Sequence, residues 1–133
     1  MARATGTFDV KLTQQSSDED SGTTLGRYAL EKQFRGDLVA TSKGEMLSAG
    51  TQTKGSAGYV AQERVTGTLG GRQGSFVLQH TGVMTRGAPG LTITIVPDSG
   101  TGDLAGLAGT MNIIIEAGKH SYEFDYEITS AAP

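Results

Sequence analysis

Residues 67–82 read GTLGGRQGSFVLQHTG, and this stretch decides the fold because a pair of glycines separates two alternating segments. The segment before the glycines is YVAQERVTGTL, and the segment after them is GSFVLQHTGVMT. If Gly70 and Gly71 form a two-residue turn, Val65 faces Phe76 and the apolar sides of both segments coincide. A slip of one residue would place these side chains on opposite faces. The stretch therefore predicts a β-hairpin.

The same period-two alternation recurs along the whole chain, and no window of 11 residues shows a helical period. Short connections between strands favour antiparallel neighbours, and closing the sheet removes its exposed edges. We therefore predict an all-β protein in which residues 1–133 form a single domain. Its fold is an eight-stranded antiparallel up-and-down barrel, lipocalin-like, wide enough to be filled by side chains or to hold one small ligand. The predicted strands span 6–13, 25–34, 37–50, 59–69, 74–85, 91–96, 110–116 and 120–126.

The connections between these strands are predicted from glycine and polar residues. Arg35-Gly36 and Gly118-Lys119 are taken as tight turns, and the acidic stretch 14–22 is taken as a loop. A longer turn covers 97–109, with one helical turn near residues 103–105. With Gly118-Lys119 as the turn, the expected pairs are Ile115 with Tyr122, Ile113 with Phe124 and Met111 with Tyr126.

The inward face is assigned for some strands and left open for others. In the first strand, Phe8, Val10 and Leu12 share one face, which we expect to be the inner one. The alternation in 28–34 and 38–49 does not decide which side chains point inward.

Composition excludes several classes of protein. The chain has 133 residues, a net charge of −3, 20 glycines and no cysteine. The acidic balance argues against a nucleic-acid partner, and the absence of cysteine excludes disulfides and thiolate metal sites. No apolar run approaches the length of a membrane helix, and the first ten residues have no apolar signal region, so we expect a cytoplasmic protein without a membrane partner.

One titratable pair falls within an apolar row. His80 shares a face with Phe76 and Leu78, and Glu63 lies on the matching face of the neighbouring strand. In the predicted register the two are diagonal neighbours, within reach of each other. An inward carboxylate beside an inward imidazole has the chemistry of a general acid or base, so Glu63 and His80 are the candidate catalytic residues. The alternative is a structural polar pair near the barrel mouth, since such pairs also have perturbed pKa values.

Other motifs do not support a cofactor or metal. His120 lies beside a turn, far along the chain from His80, and the acidic residues of SSDED lack the spacing of a calcium loop. GTGDLA at residues 100–105 matches a dinucleotide fingerprint, but further glycines and a strand follow it where a helix is required. We therefore expect no cofactor and no metal.

Four quoted segments carry a resemblance to a known family. GDLVATSKGEMLSAGT, GSAGYVAQERVTGTLGGRQGSFVLQHTG, VPDSGTGDLAGLAGTM and GKHSYEFDY resemble a bacterial domain-of-unknown-function family numbered thirty-two twenty-four. That family is similar to the allene oxide cyclase barrel, related to dirigent proteins, which implies an eight-stranded antiparallel barrel. The cyclase's glutamate on the first strand loosely matches Asp9, which lies on the face opposite Phe8, so the role is not transferred.

Three functions remain open. The first is that the barrel binds a small apolar or amphipathic molecule. The second is that it is an isomerase or cyclase that uses Glu63 and His80, and the third is that it is a filled barrel acting as a homo-oligomeric scaffold. The expected ligand contacts are the inward aromatic and large apolar side chains: Tyr59, Phe76, Leu78, Met84, Tyr122, Phe124 and Tyr126.

Overall fold

A computed structural model describes residues 1–129, and in this part of the chain eight antiparallel strands form a closed barrel in sequential order. The predicted all-β barrel is therefore confirmed. The strands are β1 (Ala2–Asp20), β2 (Thr23–Gly36), β3 (Leu38–Gly50), β4 (Ala57–Leu69), β5 (Arg72–Thr85), β6 (Ala88–Ile95), β7 (Leu107–Glu116) and β8 (Lys119–Ile128). A 3₁₀ helix at Gly102–Leu104 follows β6, close to the expected helical turn. Within residues 1–129, no helix has the length and apolar character needed to cross a membrane.

The barrel is closed at one end only. β1 pairs with β8 through Ala2–Thr7, and β6 pairs with β7 at a single position, Thr94 with Thr110. Beyond these ladders, β1 to β6 continue as an open sheet, which we call the flared sheet. It comprises residues 9–20, 23–29, 44–50, 57–60, 81–85 and 88–92. One molecule thus contains a filled barrel and an open, six-stranded extension.

Apolar side chains fill the closed end. The rings of Phe76 and Phe124 stack with centroids 5.8 Å apart, and Phe34 meets Tyr122 edge-on at 5.8 Å. Buried aromatic and aliphatic groups of this size dominate the stability of a small core. Further buried members of the core are Ala4, Phe8, Leu38, Val65, Leu69, Leu78, Ile93, Ile95, Leu104, Leu107 and Met111.

The β4–β5 hairpin confirms the register predicted from the glycine pair. Val65 faces Phe76, as expected. Gly70 and Gly71 have φ of 55° and 83°, the left-handed conformation that a two-residue hairpin turn requires and that glycine adopts without a steric penalty.

The β7–β8 register differs from the prediction by two residues. Ile113, not Ile115, faces Tyr122, because the turn is Ala117-Gly118 rather than Gly118-Lys119. Ala117 has φ of 50°, an uncommon conformation for a residue other than glycine, asparagine or aspartate, so the sequence gives little sign of it. A shift of two residues preserves the side-chain alternation, and the inward face is therefore the predicted one.

Two further predicted connections are wrong. Most of the expected loop 14–22 belongs to β1, which pairs with β2 as far as Asp20 and contains one bulge. Pairing with a neighbouring strand overrides the weak strand preference of acidic residues. The Arg35-Gly36 turn is instead centred on Asp37, whose side chain and backbone both bond to the backbone of Thr5 on β1.

The structure also decides the inward faces that the sequence left open. Leu30 and Phe34 point inward from β2, and Leu38 and Ala40 point inward from β3. On β1, Val10 and Leu12 keep the phase of buried Phe8 but are 37% and 48% exposed. These two residues lie in the flared sheet, beyond the ladder between β1 and β8.

Candidate functional site

Glu63 and His80 meet inside the barrel, as their diagonal positions on β4 and β5 predict. Their side chains are almost completely buried, and His80 Nε2 lies 2.7 Å from Glu63 Oε1. The cross-strand partner of His80 on β6 is Ile93, which is also buried. The pair therefore lies in the core, next to the flared sheet, and not at a solvent-exposed rim.

Two more polar residues complete this group. Lys32 Nζ donates to Glu63 Oε1 over 2.9 Å, and Ser42 Oγ donates to Glu63 Oε2 over 2.6 Å. Lys32 is 7% exposed, and its ammonium lies 5.0 Å from the centre of the Phe8 ring. We call Lys32, Ser42, Glu63 and His80 the polar cluster. In the described residues, no buried side-chain polar atom lacks a hydrogen-bond partner.

The polar cluster keeps Glu63 ionised. Burial by itself would raise the pKa of Glu63, but the His80 hydrogen bond, the charge of Lys32 and the Ser42 hydrogen bond lower it to about 2. Lys32 and Glu63 form a buried ion pair with no net charge. Burial of the pair is offset because Ser42 and His80 also donate to the carboxylate, and the Lys32 ammonium lies over the Phe8 ring.

Tyr59 connects the polar cluster to the flared sheet. Its hydroxyl lies 3.2 Å from His80 Nδ1, and its half-buried ring lies 6.0 Å from the imidazole. Burial and the nearby Glu63 carboxylate raise the pKa of the Tyr59 hydroxyl. The ring packs over Gly82, where an added Cβ would lie only 2.6 Å from Tyr59 Cε1. Glycine at this position allows the tyrosine to lie flat against β5.

An open apolar groove lies on the inner face of the flared sheet, against Tyr59. Its volume is about 390 Å³. The lining residues, all within the described part of the chain, carry no charge. They are Met46, Ser48, Ala49, Gly50, Ala57, Gly58, Tyr59, Gly82, Val83, Met84, Pro89 and Gly90. An uncharged concave surface with two hydroxyl groups, those of Ser48 and Tyr59, has the composition of a small-molecule site.

Comparison with known proteins places the chain in a family. The sequence matches the family described as "Protein of unknown function (DUF3224)" over residues 4–126. The chain belongs to the DUF3224 family. A crystal structure of a DUF3224 protein of unknown function from Shewanella oneidensis MR-1 is 56% identical, with a TM-score of 0.95, over 98% of this chain and 99% of that one. No curated protein matches the chain.

In this DUF3224 barrel, the seven expected ligand contacts lie in three different places. Tyr59 and Met84 line the groove. Tyr126 packs against Phe124 towards the closed end, with ring centroids 5.3 Å apart. The other four are buried core residues: Phe76, Leu78, Tyr122 and Phe124.

Tyr122 has a structural role in this DUF3224 barrel. Its hydroxyl accepts a hydrogen bond from the Leu38 amide over 3.0 Å and donates one to the Arg35 carbonyl over 2.8 Å. These bonds fasten β8 to the connection between β2 and β3.

Lys32 and Ser42 were not among the candidates from sequence. Lys32 alternates with Leu30 and Phe34, so a charged residue within an apolar row was visible, as it was for His80. The sequence does not decide which faces of β2 and β3 point inward, however. Until that is known, Lys32 is equally well interpreted as a solvent-exposed residue.

Proposed function

We propose that this protein binds a small apolar or amphipathic molecule in the groove of the flared sheet. The observation that carries the proposal is the uncharged groove of about 390 Å³, which ends at a tyrosine bonded to a buried ionic cluster. Sites for small ligands have volumes of roughly 300–1,000 Å³ and a few convergent polar groups. The hydroxyl groups of Tyr59 and Ser48 are such polar groups.

A second depression is less suited to an apolar ligand. It measures about 520 Å³ and lies on the outer face of the same strands. Its lining includes the Arg27–Glu45 ion pair and the hydrogen-bonded amides of Gln62 and Gln79. An apolar molecule there would desolvate these polar groups without replacing their bonds to water.

The test fills the groove from within. Gly50 lies on the inner face, and a Cβ added there meets no atom within 4 Å, so Gly50→Phe places a ring in the groove without a backbone clash. Val60→Phe adds a ring to the outer face of the adjacent strand and is the matched control. We expect 1-aminoanthracene, a fluorescent apolar probe, to bind the unmodified protein and the Val60 variant, and to bind Gly50→Phe at least ten-fold more weakly. Equal binding by all three would refute the proposal.

A second candidate function is acid–base catalysis, of the isomerase or cyclase kind. Two consecutive hydrogen bonds favour this function: the Glu63 carboxylate bonds to the His80 imidazole, which bonds to the Tyr59 hydroxyl. A hydroxyl bonded to a base that a third group orients is the usual arrangement of an activated side chain. Of the three, Tyr59 lines the groove, so it would contact the substrate.

Exchange of the methyl protons of 2-acetylnaphthalene in D₂O, followed by proton NMR, tests this second function. Each exchange removes one proton from the methyl carbon to form the enolate and returns one deuteron to the same carbon. We expect exchange to be faster with the protein than in buffer and to be lost in Tyr59→Phe. Exchange at the buffer rate would exclude the function for this class of ketone.

Three further features remain predictions. The similarity to the allene oxide cyclase barrel agrees with a closed barrel of eight antiparallel strands. A homo-oligomer is compatible with the apolar side chains Leu25, Leu47 and Val83, which are each more than half exposed. The cytoplasmic location rests on sequence composition.

A further inference from the structure

Hydrogen bonding in the polar cluster determines which nitrogen of His80 carries the proton. Glu63 is ionised, so its carboxylate oxygens only accept hydrogen bonds. His80 Nε2 lies 2.7 Å from one of these oxygens and must therefore be the donor. When the imidazole is neutral, Nδ1 has no proton and can only accept.

The charges of the polar cluster balance when the imidazole is neutral. Lys32 already neutralises the Glu63 carboxylate, and Ser42 contributes no charge. The other groups facing His80 are the neutral Tyr59 hydroxyl on β4 and the apolar Ile93 on β6. A charged His80 would give this buried group a net positive charge, which is costly without a further anion.

The proton position on His80 then orients the Tyr59 hydroxyl. Neutral Nδ1 accepts, so Tyr59 donates its only hydroxyl proton to it across 3.2 Å. The lone pairs of the Tyr59 oxygen are left for the groove. Because the pKa of Tyr59 is raised, the hydroxyl keeps its proton in neutral and mildly basic solution.

We propose that the groove selects ligands whose polar group donates a hydrogen bond, such as an alcohol or a phenol, because the polar cluster fixes Tyr59 as an acceptor. This inference rests on the proposed binding function and specifies the chemical class of the ligand. Lys32, Glu63 and His80 act as positioning residues, through Tyr59. Protonation of His80 reverses the arrangement: Nδ1–H donates to Tyr59, and the hydroxyl proton turns towards the groove.

Two matched probes test this selection. 2-Naphthol donates a hydrogen bond, whereas 2-methoxynaphthalene has nearly the same shape but can only accept one. With His80 neutral, we expect 2-naphthol to bind between about two-fold and ten-fold more tightly, the range expected for one net hydrogen bond. Tyr59→Phe abolishes the preference. Tyr28→Phe, which removes a hydroxyl from the inner face of β2 outside the groove lining, retains it.

Nitrogen-15 NMR of the His80 ring provides a readout that a purely structural role would not affect. We expect the neutral ring to carry its proton on Nε2. The ratio of the 2-naphthol affinity to the 2-methoxynaphthalene affinity should fall as the pH is lowered and His80 gains its second ring proton. A proton on Nδ1 of the neutral ring, or equal affinity for the two probes, would overturn the inference. An affinity ratio that stays constant while His80 titrates would also overturn it. Equal affinity leaves ligand binding intact, whereas failure of both probes to bind removes the proposed function as well.

Discussion

Replacing Glu63 by Gln removes the carboxylate that Lys32, Ser42 and His80 share, while nearly preserving the shape of the side chain. Lys32 is then a buried ammonium without a counter-ion. Breaking a buried ion pair by removing one partner typically costs about 3–5 kcal/mol. We expect Glu63→Gln to lower the free energy of unfolding by this amount at pH 7.

The pKa of Glu63 gives the pH dependence of this loss. Lowering the pKa from its ordinary 4.5 to about 2 corresponds to about 3 kcal/mol of stability. The folded carboxyl binds its proton more weakly than the unfolded one. Its contribution is therefore complete above about pH 4.5 and lost as the pH falls towards 2, with about 2 kcal/mol lost between pH 7 and pH 3. The variant lacks this term, so the difference between the two proteins narrows by about 2 kcal/mol at pH 3.

Urea unfolding followed by circular dichroism at pH 7 and pH 3 measures both effects. Glu45→Gln is the matched control, because it breaks an ion pair of similar length, 3.0 Å to Arg27, in which both side chains are about half exposed or more. Such pairs contribute less than about 1 kcal/mol. The double variant Lys32→Met/Glu63→Gln should recover part of the loss, since no unpaired ammonium remains. A Glu63→Gln cost no larger than that of Glu45→Gln would refute the argument.

Three further predictions concern the scaffold. Tyr122→Phe should cost about 1–3 kcal/mol in urea unfolding, because it leaves the buried Leu38 amide and the part-buried Arg35 carbonyl without this partner. An unchanged midpoint would show that water replaces the hydroxyl. Gly71→Val should cost about 1–3 kcal/mol through backbone strain, since φ is 83° and the site is otherwise open; a variant as stable as the parent would mean that the turn rearranges freely. Far-ultraviolet circular dichroism should be dominated by strand, and a helix content near one third would contradict the barrel.

The fold was predictable because it depends on local patterns. Alternation identifies the strands, and Gly70-Gly71 fixes the register of β4 and β5. One wrong prediction, the turn between β7 and β8, has a local cause, because Ala117 adopts a positive φ that its residue type does not indicate. The other two wrong connections lie where a non-local contact decides. The acidic end of β1 is a strand because β2 lies beside it, and the connection after β2 is centred on Asp37 because β1 holds that residue.

The candidate site was predictable only in part, for the same reason. The sequence by itself determined that Glu63 and His80 lie on the same face of one hairpin, since side-chain alternation and a single turn suffice for that. Only the tertiary structure placed Lys32 and Ser42 against Glu63, because these residues come from β2 and β3, whose inward faces depend on how the sheet closes. It also decided that the apolar inner face of β3 to β6 extends beyond the closed barrel as an open groove. How far β7 and β8 cover that face depends on pairing between distant strands, which no local pattern of residues encodes.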